Sequence, residues 1–133
     1  MRFLSFIQLL VISASGALSE SSDVEGCVVG ERMDVNISAL PEGIDPNNIR
    51  KCAEHPLSGL VEPMDERACH WGDPAGCTRG YCWKSCGLPN SGNWCWTATH
   101  DGWGDWIRCN ANSDCRTSYA CGTGNCAACG CSC

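Results

Sequence analysis

Four of the last eight residues, in the run CAACGCSC, are cysteine: Cys126, Cys129, Cys131 and Cys133. Sulfur at that spacing can clamp a metal as thiolate, run redox chemistry through a C-x-x-C pair, or lock the end of a disulfide scaffold. The other groups with chemistry to offer are three histidines (His55, His70, His100), a carboxylate pair (Asp101, Asp105) and six tryptophans at 71, 83, 94, 96, 103 and 106.

The N-terminus decides among the sulfur chemistries. MRFLSFIQLLVISASGALS carries one early positive charge, Arg2, an apolar run from Phe3 to about Ile12, and small residues at Ala17 and Ser19. That is the pattern of a secretory signal peptide over residues 1–19. The apolar run is too short to span a bilayer, which takes about 20 residues. A soluble, secreted, extracellular chain is expected from about Glu20 onward.

Thiols in that compartment are normally consumed as disulfides. All fourteen cysteines lie beyond the signal: Cys27, Cys52, Cys69, Cys77, Cys82, Cys86, Cys95, Cys109, Cys115, Cys121, Cys126, Cys129, Cys131 and Cys133. The even count lets every one pair, and a small domain poor in Leu, Ile and Phe needs such cross-links. The C-terminal spacing also occurs in metallothioneins, but those hold almost no aromatic residues, and this chain has six tryptophans. No metal and no cofactor are expected. A redox role for CAAC lacks the βαβ context that such a pair needs.

Catalytic patterns are equally thin. There is no G-x-S-x-G and no H-E-x-x-H. Cys69 and His70 are adjacent in sequence, which is not a dyad. Asp101 and Asp105 have the residue types for glycoside cleavage, but both stand beside glycine, Gly102 and Gly104, where Asp is an ordinary turn residue. No enzyme is expected.

Charge is uneven. Residues 20–76 hold 12 acidic and 4 basic side chains, and residues 77–133 hold 3 and 4. Neither half has the basic stripe of a nucleic-acid binder, and nothing predicts membrane insertion.

The elements that would position these groups fall into two regions expected to form one compact domain. The acidic portion, 20–68, contains CVVGERMDVNIS, an extended stretch with Val28, Val29, Met33, Val35 and Ile37 facing inward. Asp45-Pro46 is a helix start, because Asp caps free N–H groups and Pro suits the first helical position; that helix would run to about Glu54. A second short helix starts at Pro63. Asn36-Ile37-Ser38 is an N-glycosylation acceptor.

The cysteine- and tryptophan-rich portion, 69–133, contains GYCWKSCG. On a helix Cys82 and Cys86 share one face, with Gly87 as C-terminal cap. On a strand Cys129 and Cys131 share a face at a matching distance, so a helix pinned to a strand by two bridges, the cystine-stabilised αβ arrangement, is one possible outcome. The expected fold class is a small disulfide-rich α+β domain, short helices packed on a small antiparallel sheet or hairpin. The hairpin is NWCWTATHDGWGDWIRC, with residues 100–104 as loop, Thr99 opposite Asp105, Thr97 opposite Ile107, and Cys95 opposite Cys109. Period two then puts Trp94 and Trp96 on the face opposite Cys95. There Trp96 would meet Arg108, and Trp94, Trp96, Arg108 and the loop's Trp103 form the expected binding surface; the alternative is that the tryptophans are core, with Trp96 buried by the N-terminal portion.

In order, GYCWKSCG, NWCWTA, GWGDWIRC, SDC and CAACGCSC resemble the small secreted cysteine-rich proteins of filamentous ascomycete fungi, the incompatibility-induced family whose relatives are candidate effectors. The resemblance covers residues 77–133. It implies secretion, disulfides and an interaction role, and supplies no catalytic residue. The expected function is a monomeric, non-enzymatic effector or toxin-like protein that binds a host or competitor target. A binder of chitin or another cell-wall glycan and an antimicrobial protein are the alternatives.

Overall fold

The computed structural model describes residues 26–27, 32–58 and 69–124. The expected signal peptide, Val28 and Val29, most of the stretch from Pro63 to Trp71, and CAACGCSC lie outside the described residues.

Four antiparallel strands form one sheet in the order β1-β2-β3-β4: β1 Ala75–Thr78, β2 Tyr81–Ser85, β3 Trp94–Ala98 and β4 Ala120–Cys121. The β1–β2 turn uses Arg79 and Gly80, both at positive φ (48° and 84°). A two-residue hairpin whose central pair is left-handed matches the twist of its strands. It aligns Thr78 with Tyr81, Cys77 with Cys82 and Gly76 with Trp83.

The expected α+β class is not what forms. Among the described residues the only helical pieces are single 3-10 turns, and GYCWKSCG is strand β2 where a helix was expected. Its alternation YCWKS suits a pleat as well as C-x-x-x-C suits a helix turn, and pairing on both edges decides it. The helix expected from Asp45 to Glu54 starts as read, with the Asp45 carboxylate accepting the Asn47 N–H at 2.9 Å. It ends after Pro46–Asn48, because Ile49 is extended and the Arg50 N–H donates to Trp103 O. Ile37, expected inside, is 66 % exposed.

Each face of the sheet is covered by different chemistry. Tyr81, Trp83, Trp94 and Trp96 form a buried aromatic cluster. Trp83 pairs with Trp96 across β2 and β3, and two-residue spacing puts Tyr81 and Trp94 on that same face. A Cβ at Gly76 would lie 2.5 Å from the Trp83 ring, so only glycine admits the indole there. The opposite face carries sulfur: Cys77–Cys109, Cys82–Cys115 and Cys95–Cys121. Cys27–Cys52 closes the N-terminal portion. Loops of 25 to 33 residues give about 3–4 kcal/mol per bridge in the chain-entropy account. Cys69 and Cys86 are also disulfide-bonded, and no cysteine among the described residues is free.

The hairpin forms as read near its tip. Thr99 N–H donates to Asp105 O (2.9 Å), Ile107 N–H to Thr97 O (3.0 Å), and Ala98 bridges Trp106. Beyond Ile107 the register departs from expectation. Arg108 bridges Tyr81, and Cys109 N–H donates to Gly80 O. The returning chain therefore lies against the start of β2, Cys109 pairs with Cys77, and Cys95 pairs with Cys121 on β4.

Candidate binding cleft

Burial sorts the tryptophans. Trp94 is 1 % exposed and Trp96 2 %; neither offers its ring to a partner. Residues 50–58 of the acidic portion lie on the aromatic face. His55 is fully buried and stacks on Trp96, centroids 4.1 Å apart and planes 5° from parallel; Tyr81 and Trp106 meet it edge-on. The Arg108 guanidinium does sit over a ring, but over Tyr81 at 4.1 Å. Trp103 is half-buried and lines a separate cleft with Met33, Val35 and Leu40. The surface expected from Trp94, Trp96, Arg108 and Trp103 is thus not assembled, because residues 50–58 of the N-terminal portion cover the aromatic face of the sheet.

Arg50 holds that cover down. It is 6 % exposed and lies over the Trp106 ring at 4.1 Å. Nη1 donates to Gly102 O (2.6 Å) and Gly104 O (3.3 Å), and Nη2 to Thr123 O. Burial pushes its guanidinium down to about 10, with Asp105 opposing, so it stays cationic at neutral pH. The carbonyls it collects come from the tight loop in which His100, Asp101 and Gly102 all have positive φ. Burial, with the positive charges of Arg50 and Arg108, pushes His55 down to about 3. Its Nδ1 accepts the Leu57 N–H at 3.1 Å, which leaves the proton on Nε2. Asp101 is an exposed residue of that tight loop and Asp105 an exposed one just beyond it. His100 is exposed, with Nδ1 3.1 Å from Thr99 Oγ1.

Two sulfur clusters, Cys77 with Cys109 and Cys115, and Cys86 with Cys95 and Cys121, have their atoms within 4.8 Å of one another. All six are disulfide-bonded, so they are cystine sulfur and not thiolate ligands.

The exposed indole is Trp71, at 66 %, and Leu88 is exposed at 80 %. Both line a cleft of about 210 Å³ between residues 70–72 and the β2–β3 connection, 86–93. Pro89 and Asn90, the latter at φ 61°, build the turn closed by Ser91 N–H to Leu88 O at 3.1 Å; Pro then left-handed Asn is the type II pattern. His70 N–H donates to Gly92 O at 2.8 Å, tying the two walls. A Cβ on Gly92 would fall 2.8 Å from the Trp71 ring, so the indole rests directly on backbone. Ser85, Asn90, Ser91 and Asn93 supply the polar lining, with no Asp, Glu, Lys or Arg among the lining residues. His70 sits edge-on to Trp83 at 4.3 Å, and its enclosed Nε2 has no hydrogen-bond partner among the described residues.

Reasoning from sequence counted Trp71 among the tryptophans but did not place it at the site, and it passed over Leu88, Asn90 and Asn93. The available signal was GLPNSGN, a tract of turn formers that strands one leucine on the surface.

No protein-family model matches the chain, nor does any curated protein or solved structure.

Proposed function

We propose that this chain is a non-enzymatic, secreted effector or toxin-like protein that binds a host or competitor target as a monomer, of the fungal cysteine-rich kind its C-terminal motifs resemble. One observation carries the contact surface: Trp71 and Leu88 are exposed at 66 % and 80 % on one cleft, while Trp83, Trp94 and Trp96 are at 6 % or less. Large apolar side chains exposed together on one cleft mark a contact site, and tryptophan is among the residues most often found at the energetic centre of an interface.

The scaffold supports the same reading. Disulfides on one face and an aromatic core on the other give a small, stable, extracellular-type protein. Among the described residues no helix is long and apolar enough to cross a membrane. The secretory signal and an N-linked glycan at Asn36 belong to the proposal.

Purified protein infiltrated into leaf tissue, or added to competing fungi and bacteria, tests it. The response obtained with the wild type should be lost in Trp71→Ala/Leu88→Ala, with every disulfide still formed and the melting point unchanged. An unchanged response in that variant would remove the face from the function.

A further inference from the structure

We infer that the Trp71 cleft takes one sugar ring of a neutral polysaccharide. The inference rests on the contact face proposed above and names the chemistry of its ligand.

Charge is the first discriminator. The whole chain has a formal net charge of −6, yet no Asp, Glu, Lys or Arg lines this cleft. A cleft built for a phosphate, a carboxylate or a basic peptide would place an opposite charge there. Amides, hydroxyls and an indole suit a ligand that is neutral and rich in hydroxyl groups.

Geometry is the second. The Trp71 ring is held against Gly92 and is two-thirds exposed, so it offers a fixed apolar surface. A pyranose presents a C–H face that can lie on such a ring and a rim of hydroxyls that needs donors and acceptors. The carboxamides of Asn90 and Asn93 line the cleft and make no side-chain hydrogen bond among the described residues.

Size is the third. At about 210 Å³ the cleft falls below the roughly 300–1,000 Å³ that encloses a whole small ligand. It fits one unit of a chain whose other units lie outside.

Isothermal titration of the disulfide-intact protein with three neutral hexasaccharides tests this: β-1,4-linked N-acetylglucosamine, β-1,3-linked glucose and β-1,4-linked glucose. Polygalacturonate serves as the charged control. One neutral hexasaccharide should bind, with affinity the same in low and high salt. Trp71→Ala should weaken it by about tenfold or more, Asn90→Ala by several-fold, and Trp71→Phe, which keeps a ring, less than Trp71→Ala. Failure of all three neutral sugars to bind at millimolar concentration, binding of polygalacturonate alone, or equal affinity in Trp71→Ala would each overturn the inference. If no neutral sugar binds while Trp71→Ala/Leu88→Ala still abolishes the biological response, the ligand class is wrong and the contact face stands; a protein partner then occupies it. If that double variant leaves the response intact, the face itself is not used.

Discussion

The His55 imidazole lies flat on the Trp96 indole, centroids 4.1 Å apart, and this contact packs the acidic N-terminal portion against the tryptophan-rich sheet. Because the ring is buried beside the positive charges of Arg50 and Arg108, it titrates near 3 where an ordinary histidine titrates near 6.5. Between those values the unfolded chain binds a proton that the folded chain does not. Stability is therefore full above about pH 6.5 and falls as pH drops toward 3, by up to about 1.4 kcal/mol per pH unit and a few kcal/mol in all. The exposed Asp114 carboxylate, held below the usual range by the Asn110 and Ala111 N–H groups, adds a slope of the same sign. His55→Phe keeps the stacked area and cannot titrate. Its melting point should gain on the wild type steadily from pH 6.5 to 3, over a constant loss from the missing Leu57 hydrogen bond. Parallel curves would show that His55 does not stay neutral in the fold.

Trp96 and Trp71 should respond in opposite ways to truncation. Trp96→Ala empties a site that is 2 % exposed and should cost about 3–5 kcal/mol in denaturant unfolding with the disulfides intact. Trp71→Ala removes a ring that is 66 % exposed and should change stability by about 0.5 kcal/mol or less. Of the two readings open from sequence, a surface ring or a core ring, burial selects the core for Trp96. An unchanged unfolding midpoint for Trp96→Ala would mean that the aromatic face is not the core.

Why the sequence misplaced the surface is a matter of what periodicity carries. Alternation in NWCWTA correctly separates Trp94 and Trp96 from Cys95 and Thr97, and HDGWG correctly marks a tight loop between Thr99 and Asp105. Alternation says that two faces differ. It does not say which is covered, and here both are, one by disulfides and one by residues 50–58. Cys82 and Cys86 were ambiguous for the same reason: spacing of four puts both on one side of a helix and also on one side of a strand. Residues 107–109 bridge the start of β2 and β4 pairs with the end of β3, contacts set by closure of the sheet that no local pattern encodes. The role of Arg50 was not legible, because its partners are backbone carbonyls more than 50 residues away.

A glycan on Asn36 is expected when the chain passes through a eukaryotic secretory pathway. Asn36 and Ser38 are exposed, and Asn36 Oδ1 accepts from Ser38 N (3.1 Å) and Ser38 Oγ (2.6 Å), leaving Nδ2 free to carry the sugar. Amidase treatment should remove a discrete mass and convert Asn36 to Asp, and Asn36→Gln and Ser38→Ala should both be secreted without that mass. An unmodified Asn36 in secreted protein counts against it.

Arg50 should behave as a latch that lysine cannot replace. Its planar fork reaches carbonyls of Gly102, Gly104 and Thr123 while its face lies on Trp106; an ammonium has neither the fork nor the flat face. Arg50→Lys leaves buried carbonyls underserved and should cost about 1–3 kcal/mol. The same burial protects the dibasic pair Arg50-Lys51. Arg50 is 6 % exposed, Lys51 O accepts the Met33 N–H at 2.9 Å, and the next residue, Cys52, is bridged to Cys27. A protease specific for paired basic residues should leave the oxidised wild type whole after an overnight digest. It should cut after Lys51 once the protein is reduced, with Arg50→Met as the control that removes the pair. Rapid cleavage of the oxidised wild type, releasing a fragment that begins at Cys52 after later reduction, would show that the N-terminal portion is a detachable segment and that its cover over the aromatic face opens readily.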